Sequence, residues 1–370
     1  MGSSSWSRLG DLFRPPIHPL EVQGGCFSGL CVVNRSSSNT GVAVQPKCMM
    51  RTVRAVIPSV TALVWNEAQG RVRAPWRILA PLLPMFGVGI VVSTLLFGRV
   101  SVPVLITATQ MTLAIAMVTA VAVTTRYLDR GRTVWQYGLR ADRRWAHDLL
   151  AGFGLAAGAV AIPYLIGVAI GWYEISTTFA AGHVSFWMGL LLVVIAYLGT
   201  GVWEEVFFRA VFMVNAAEGL RRWLSPKHTL VVVLAVQTVI FGVIHLEHWS
   251  VQAPHPAFVV TWILAGLVYG VLYLLSNDLA LPIAAHAGGN AAGASLISAT
   301  DPADSGWGVL VLVEPTSEAI LLGHGGVMMF SANVLVLSFG IGWLRYTRKG
   351  PLELWDHPAF FVTEQIGESE

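Results

Sequence analysis

Eight long apolar segments constrain the fold of this chain more than any other feature. A helix needs about 20 residues, at about 1.5 Å each, to cross the roughly 30 Å hydrocarbon core of a bilayer. Only 12% of the 370 residues are charged, against about 25% in a soluble domain. The sequence therefore predicts an all-α, polytopic membrane protein with about eight transmembrane helices. The expected spans are residues 78–97, 102–125, 149–172, 185–214, 229–246, 257–275, 279–298 and 327–344.

Basic residues are distributed unevenly among the loops that connect these spans. They cluster before the first span and after the second, the fourth and the eighth, whereas the alternate loops carry mainly Asp and Glu. Loops rich in Lys and Arg remain in the cytoplasm. With eight spans, all four basic clusters fall on one side. We therefore expect an integral protein of the cell membrane with both termini in the cytoplasm.

The ends of the chain are predicted to be extensions of the membrane domain. Residues 1–70 form the N-terminal extension, which is expected to be disordered because its first part is rich in Ser, Gly and Pro and lacks the apolar core of a signal peptide. Met49 and Met50 are candidates for the true start of translation. The membrane domain comprises residues 71–349, in which the loop 301–326 is expected to be least constrained. Residues 350–370 are expected to form a flexible cytoplasmic tail.

Three of the predicted spans carry polar side chains that are costly in a bilayer, by about 2.5–3.5 kcal/mol for a charged group. The first of these motifs contains Glu204, Glu205 and Arg209. Glu205 and Arg209 are four residues apart on a helix, so they share a face and are expected to pair. Glu204 is rotated by about 100° and is expected to face a water-filled cavity, where a carboxylate suits a general base. A structural ion pair between helices is the alternative interpretation.

The other two motifs each place a histidine in an apolar span. His245 follows Phe241 by four residues, and Asn290 follows His286 by four, so each pair lies on one helical face. His286 and Asn290 suit a pair of oxyanion donors, whereas His245 suits a water or a metal ligand. An interhelical hydrogen bond is the alternative. Helical rise places His245 about 24 Å and His286 about 10 Å into their spans. The two meet only if the helices tilt or the fifth helix starts outside the membrane.

In this order, Glu-Glu-x-x-x-Arg, Phe-x-x-x-His and His-x-x-x-Asn resemble the motifs of the CPBP intramembrane protease family. That family groups CAAX prenyl endopeptidases with bacteriocin-processing enzymes. The resemblance covers about residues 149–298, the expected protease core, and implies an active site inside the helix bundle and a peptide or protein substrate in the membrane. The family's functional residues would fall on Glu204, Glu205, Arg209, His245, His286 and Asn290.

The same resemblance implies roles for these residues. Glu204 and His245 would activate a water, and the His-x-x-x-Asn pair would stabilise the tetrahedral oxyanion. Glu204, His245 and His286 also offer one oxygen and two nitrogens, which matches the three-ligand set of a catalytic zinc. Asn290 favours the metal-free interpretation, because an amide is a poor zinc ligand and a good oxyanion donor. Both interpretations stay open from the sequence.

Two other functions are compatible with the motifs. One is a catalytically silent family member that acts through its helices as a membrane scaffold or regulator. The other is a proton-coupled transporter that uses Glu204 and the histidines as a relay. Many transporters are built from two repeated halves that are related by symmetry, and no such repeat is evident in this sequence. Lipid and a membrane-associated peptide are the expected partners and nucleic acid is not; the substrate and the oligomeric state are not specified.

Overall fold

The computed structural model describes residues 61–129, 132–246, 256–316, 326–348, 350–354 and 360. Within these residues the chain is mainly helical, and seven helices are long and apolar enough to cross a membrane. The prediction of a polytopic, α-helical membrane protein is confirmed. Those seven helices are Ala74–Leu96, Val102–Tyr127, Arg143–Ala169, Phe186–Leu220, Pro226–Ile244, Val259–Ser276 and Val327–Thr347.

Several of these candidate spans are subdivided or extended when the backbone is followed residue by residue. The helices are α1 (Ala74–Leu79), α2 (Leu82–Leu96), α3 (Val102–Tyr127), α4 (Arg143–Ala169), α5 (Phe186–Glu205), α6 (Val214–Leu220), α7 (Pro226–Ile244), α8 (Pro256–Ser276), α9 (Ala280–Ala291), α10 (Pro302–Ser305) and α11 (Val327–Thr347). Two π-helical segments, Val206–Met213 and Ala292–Leu296, continue α5 and α9. The strands are β1 (Trp65–Asn66), β2 (Arg71–Val72), β3 (Tyr173–Ala180), β4 (Ile297–Ser298) and β5 (Val309–Pro315).

Local sequence signals explain where several helices begin. A proline occupies the first turn of α1, α3 and α7, where the missing N–H has no helical partner to lose. Helix α4 begins after Asp142, whose side chain accepts a hydrogen bond of 2.8 Å from the backbone N–H of Trp145. Such a cap satisfies one of the free donors at the start of a helix.

The predicted span 279–298 differs from the other seven. Helix α9 has 12 residues and its π-helical continuation has five, which together reach only about 25 Å at 1.5 Å per residue. Nearly every residue of α9 is buried, and the helix packs against α4, α5 and α8. A helix enclosed by others does not need to match the thickness of the lipid. The segment is therefore a buried central helix rather than a lipid-facing span.

The prediction of purely helical structure misses a small sheet at one end of the bundle. Strand β5 lies between β3, which pairs antiparallel with Tyr173 opposite Pro315, and β4, which pairs parallel with Ile297 opposite Val311. The loop 301–326, expected to be the least constrained, contributes β5 and α10 in its described part. A short run of Val and Leu does not distinguish a strand from a loop by periodicity alone.

The predicted extensions lie largely outside the described residues. Of residues 1–70, only 61–70 are described, and Trp65–Asn66 pairs antiparallel with Arg71–Val72. Of the tail 350–370, residues 350–354 and 360 are described. The disorder expected at both ends and the cytoplasmic location of the termini stay predictions.

Some of the basic residues expected to mark the cytoplasmic side are buried in an ion-pair network. Arg71 lies 2.6 Å from Asp129, and Arg77 and Arg132 lie 2.7 and 2.8 Å from Glu218. Burial alone would raise the pKa of Asp129, but the neighbouring arginines, chiefly Arg132 and Arg77, hold it below its ordinary value. The network joins the start of the bundle to the end of α3 and to α6.

A second charged cluster joins the end of α11 to the beginnings of α4 and α9. Arg348, after α11, pairs with Asp148 of α4 and lies 3.8 Å from Asp278, which precedes α9. Trp343 donates a hydrogen bond of 2.8 Å to Asp148. Asp278 accepts from the backbone N–H of Ala280 at 3.0 Å and so caps α9. Burial and the charge of Asp148 raise the pKa of Asp278 to about 6.

The shifted pKa of Asp278 makes stability depend on pH. The folded protein binds the Asp278 proton more tightly than the unfolded chain does, so the contribution of Asp278 to stability is fully present below pH 4 and is lost as the pH rises through about 6. Two pKa units correspond to about 3 kcal/mol. We expect Asp278→Asn to remove most of this decrease, measured as the thermal midpoint between pH 4 and 7.5. Asp304→Asn, at an exposed aspartate, is the control; an unchanged pH slope in Asp278→Asn would contradict the assignment.

Candidate active site

The Glu-Glu motif lies where α5 passes into a π-helical segment. Glu204 and Glu205 are the last residues of α5, and both side chains are buried among apolar helices. Gly199 and Gly201, one turn earlier, allow close approach of the α3 backbone at Gln110 and of the α9 backbone at Ile283. Wide π-helical turns occur frequently at functional sites, because they change which side chains share a face.

The predicted pair of Glu205 and Arg209 is present. Arg209 Nε lies 2.9 Å from Glu205 Oε2, and both side chains are fully buried. The guanidinium also donates to the backbone carbonyl of Gly266 at 3.2 Å, and that carbonyl accepts a second hydrogen bond of 2.9 Å from Gln237. Arg209 lies over the ring of Phe241, 4.7 Å from its centroid. The ion pair therefore joins α5 to α7 and α8.

Glu205 has a second partner that the sequence does not reveal. Its Oε1 lies 2.8 Å from Nδ1 of His286, which is 81 residues later in the chain. Paired with a guanidinium, Glu205 is ionised and can only accept, so His286 Nδ1 must be the donor. A neutral His286 ring then presents an unprotonated Nε2. Such a carboxylate partner fixes both the orientation and the tautomer of an imidazole.

His245 is held in a similar way. Its Nδ1 lies 2.6 Å from the carbonyl oxygen of Phe241, one turn earlier, and a carbonyl can only accept. Its Nε2 lies 3.9 Å from Glu204 Oε2, and His286 Nε2 lies 3.9 Å from the same oxygen. These separations exceed a hydrogen bond, but they suit an intervening water. The three side chains of the predicted site therefore converge.

The two histidines meet although they lie at different distances along their helices. Side chains on a helix point back toward its N-terminus, which for His245 is toward Phe241. The His245 ring accordingly packs on Phe241, with 4.6 Å between ring centroids, and Phe241 in turn contacts His286. His245 therefore reaches the level of His286 from the end of α7.

The donor atoms do not enclose a metal ion in this arrangement. Zinc ligands bind at about 2.0–2.2 Å, which places neighbouring donor atoms in a tetrahedral site about 3.3 Å apart. The distances from Glu204 to the two histidines are longer, at 3.9 Å. Among the described residues, no group of three or more His, Cys, Asp or Glu side chains is close enough to hold a metal. The three side chains are thus more widely spaced than the ligands of a bound zinc ion, and the zinc alternative stays a prediction.

Asn290 lies one turn beyond His286 on α9 and is only partly buried. In the described part of the chain no hydrogen bond holds its amide. The amide is therefore available to a ligand. The face that His286 and Asn290 share agrees with their expected role as neighbouring donors, although that role stays a prediction.

The small residues of α9 serve two different purposes. A Cβ on Gly288 would lie 2.3 Å from the carbonyl oxygen of Phe153, so this glycine permits close packing against α4. A Cβ on Gly289 would meet only Val160 at 3.9 Å and the hydroxyl of Tyr269 at 4.0 Å, which are ordinary contacts. Gly289, next to Asn290, therefore leaves space beside the site.

Sequence reasoning missed two residues that support the motif side chains. Tyr269 stacks on His286, with 4.8 Å between ring centroids and 13° between ring planes. Gln237 shares the Gly266 carbonyl with Arg209. Each is a polar residue in an apolar helix and belongs to none of the motifs. Their occurrence in predicted spans was the only available signal, since an isolated polar residue there is uncommon.

Removal of Arg209 is expected to destabilise the protein. Arg209→Ala leaves Glu205 buried with an uncompensated charge, and breaking such a pair commonly costs about 3–5 kcal/mol. The measurement is the thermal midpoint and abundance of the purified variant. The double variant Glu205→Gln/Arg209→Met removes both charges and should recover part of the loss. Wild-type stability of Arg209→Ala would show that the pair is not a structural requirement.

Gly288 and Gly289 form a matched pair for a test of packing. Gly288→Ala forces a methyl group against the α4 backbone and is expected to cost about 1–3 kcal/mol. Gly289→Ala should leave stability unchanged or slightly raised, because alanine favours a helix by about 0.5–1 kcal/mol. Thermal midpoints of the two variants test this difference. Equal destabilisation would show that no space exists beside Gly289.

Comparison with known proteins agrees with the resemblance drawn from the motifs. Residues 184–292 match the model of a family described as type II CAAX prenyl endopeptidase Rce1-like. This segment runs from the start of α5 to the end of α9 and contains all six predicted site residues. No curated protein and no solved structure matched the chain. The resemblance to the CAAX endopeptidases of the CPBP family is therefore confirmed over residues 184–292.

Proposed function

We propose that this protein is an intramembrane endopeptidase that hydrolyses a peptide bond of a membrane-associated substrate, either prenylated or carrying a leader. The observation that carries the proposal is the convergence of one carboxylate and two imidazoles inside an apolar bundle. Glu204 Oε2 lies 3.9 Å from Nε2 of both His245 and His286. The match to the CAAX prenyl endopeptidase family supports the same conclusion.

Glu204 and His245 would prepare the nucleophile. A water between them donates one hydrogen bond to the Glu204 carboxylate and one to the unprotonated Nε2 of His245. Both its protons are then engaged, and an oxygen lone pair is free to attack the substrate carbonyl. As the new C–O bond forms, Glu204 takes one proton and the carbonyl oxygen becomes an oxyanion. When the C–N bond breaks, Glu204 returns the proton to the leaving amine.

His286 and Asn290 would both stabilise the oxyanion, but His286 would do so only in one protonation state of its ring. The Asn290 amide donates regardless of pH. His286 donates from Nε2 only when the ring carries both protons, because Nδ1 already donates to Glu205. A cationic His286 would be stabilised by two carboxylates, Glu205 at 2.8 Å and Glu204 at 3.9 Å. Donors fixed in advance around a developing charge lower a reaction barrier more than mobile solvent does.

We favour the route without a metal. The donor atoms are too far apart to share one ion, as described above, whereas the 3.9 Å separations accommodate a water. A scaffold does not require a carboxylate and two oriented imidazoles to converge, whereas a proton-coupled transporter would use the same side chains as a relay. A scaffold would tolerate loss of the Glu204 carboxylate, so one variant distinguishes it from an enzyme.

Glu204→Gln keeps the size of the side chain and removes the base. We expect cleavage to fall by about 10²–10⁴-fold, the range for loss of a general base. The measurement is kcat on a quenched fluorescent farnesylated CAAX peptide, together with the membrane peptidome of cells that express each variant. Glu174→Gln, at an exposed glutamate of β3, is the matched control and should be fully active.

Metal analysis of the purified protein, together with the same cleavage assay, tests the metal-free route. Purified protein should contain no stoichiometric zinc, and its activity should survive chelation. Full activity in Glu204→Gln would contradict the proposed chemistry altogether. Stoichiometric zinc, whose removal abolishes cleavage and which is lost in His245→Ala, would instead overturn the metal-free route alone.

A further inference from the structure

Tyr269 contacts the site although it belongs to none of the three motifs. It lies on α8 and is only 6% exposed. Its ring stacks nearly parallel on His286, and its other contacts are the edge of Phe241, at 6.3 Å, and the guanidinium of Arg209, at 5.5 Å. The ring is thus enclosed by the same residues that hold His286 in place.

The hydroxyl of Tyr269 is placed differently from the ring. In the described part of the chain the Tyr269 hydroxyl makes no hydrogen bond. Its oxygen is nevertheless not fully buried. It lies near Gly289, where an added Cβ would be 4.0 Å away. A buried tyrosine usually finds a partner for its hydroxyl. This hydroxyl instead faces the space beside Gly289, next to Asn290.

The oxyanion site needs a donor of this kind. While His286 is neutral, its Nδ1 proton is committed to Glu205 and its Nε2 can only accept. Of the His-x-x-x-Asn pair, Asn290 alone can then donate to a carbonyl oxygen. A phenol retains its proton at neutral pH and can donate whatever the charge of His286.

We infer that Tyr269 is a further catalytic residue, whose hydroxyl donates a hydrogen bond to the substrate oxyanion beside Asn290 while its ring holds His286 in place. The inference rests on the proposed endopeptidase function. No proton leaves the phenol: the hydrogen bond strengthens as charge develops on the substrate oxygen and weakens when the C–N bond breaks. The role is electrostatic, like that of the Asn290 amide.

Tyr269→Phe tests the hydroxyl, because it retains the stacked ring. We expect kcat on the farnesylated peptide to fall by about 10²-fold or more, the usual effect of removing one oxyanion donor, with KM and the thermal midpoint nearly unchanged. Tyr273→Phe is the matched control. Tyr273 is also a buried tyrosine of α8, but its hydroxyl donates to the Tyr137 carbonyl at 3.3 Å, away from the site. Its kcat should remain that of the wild type.

A second readout concerns the ring and needs no activity. NMR of labelled histidine should show the His286 ring protons shifted upfield by the stacked ring in the wild type and in Tyr269→Phe, and not in Tyr269→Leu. A wild-type kcat in Tyr269→Phe, while the wild type and Tyr273→Phe cleave the peptide, would overturn the inference alone. If the wild type itself cleaved neither the peptide nor any membrane protein in cells, the proposed function would fail and the inference with it.

Discussion

The arrangement of the site depends on one fully buried carboxylate, Glu205. It pairs with Arg209 on its own helix and accepts from His286 of α9, so that a single side chain joins α5 to α9 and holds both partners. Two partners are needed because a buried charge with none is costly. The interaction also decides chemistry, since an ionised Glu205 keeps the proton of a neutral His286 on Nδ1. The Nε2 atom that faces Glu204 is thereby fixed in position, and it carries no proton while the ring is neutral.

Around this pair, the bundle is built so that the central helix α9 need not meet lipid. Gly201 on α5 and Gly288 on α9 each allow a neighbouring backbone to approach more closely than any side chain would permit. Close packing on both sides encloses His286, whereas a Cβ on the neighbouring Gly289 would meet only ordinary contacts. The same helix therefore supplies the most buried histidine of the site and its most accessible amide. An enclosed centre of this kind makes hydrogen bonds strong, because little water competes for them.

Charged residues have two uses that composition alone does not separate. Arg71, Arg77 and Arg132 belong to the basic clusters expected to mark the cytoplasmic side, yet they are buried with Asp129 and Glu218. Their positive charge is largely balanced within the protein. The predicted orientation of the chain in the membrane therefore depends on the basic residues that remain exposed. Ion pairs thus fasten helix ends, whereas the pair inside the bundle orients a histidine.

The sequence by itself determined the polytopic helical fold and the three motifs, because both are local. Apolar run length is read along the chain, and a spacing of four residues places Glu205 and Arg209 on one helical face. Only the tertiary structure decided the contact of Glu205 with His286, 81 residues apart, the stacking of Tyr269 and the burial of α9. It also added the sheet of β3, β5 and β4, whose pairing joins distant segments. Such contacts depend on how helices pack, and a helical period carries no information about the partner across an interface.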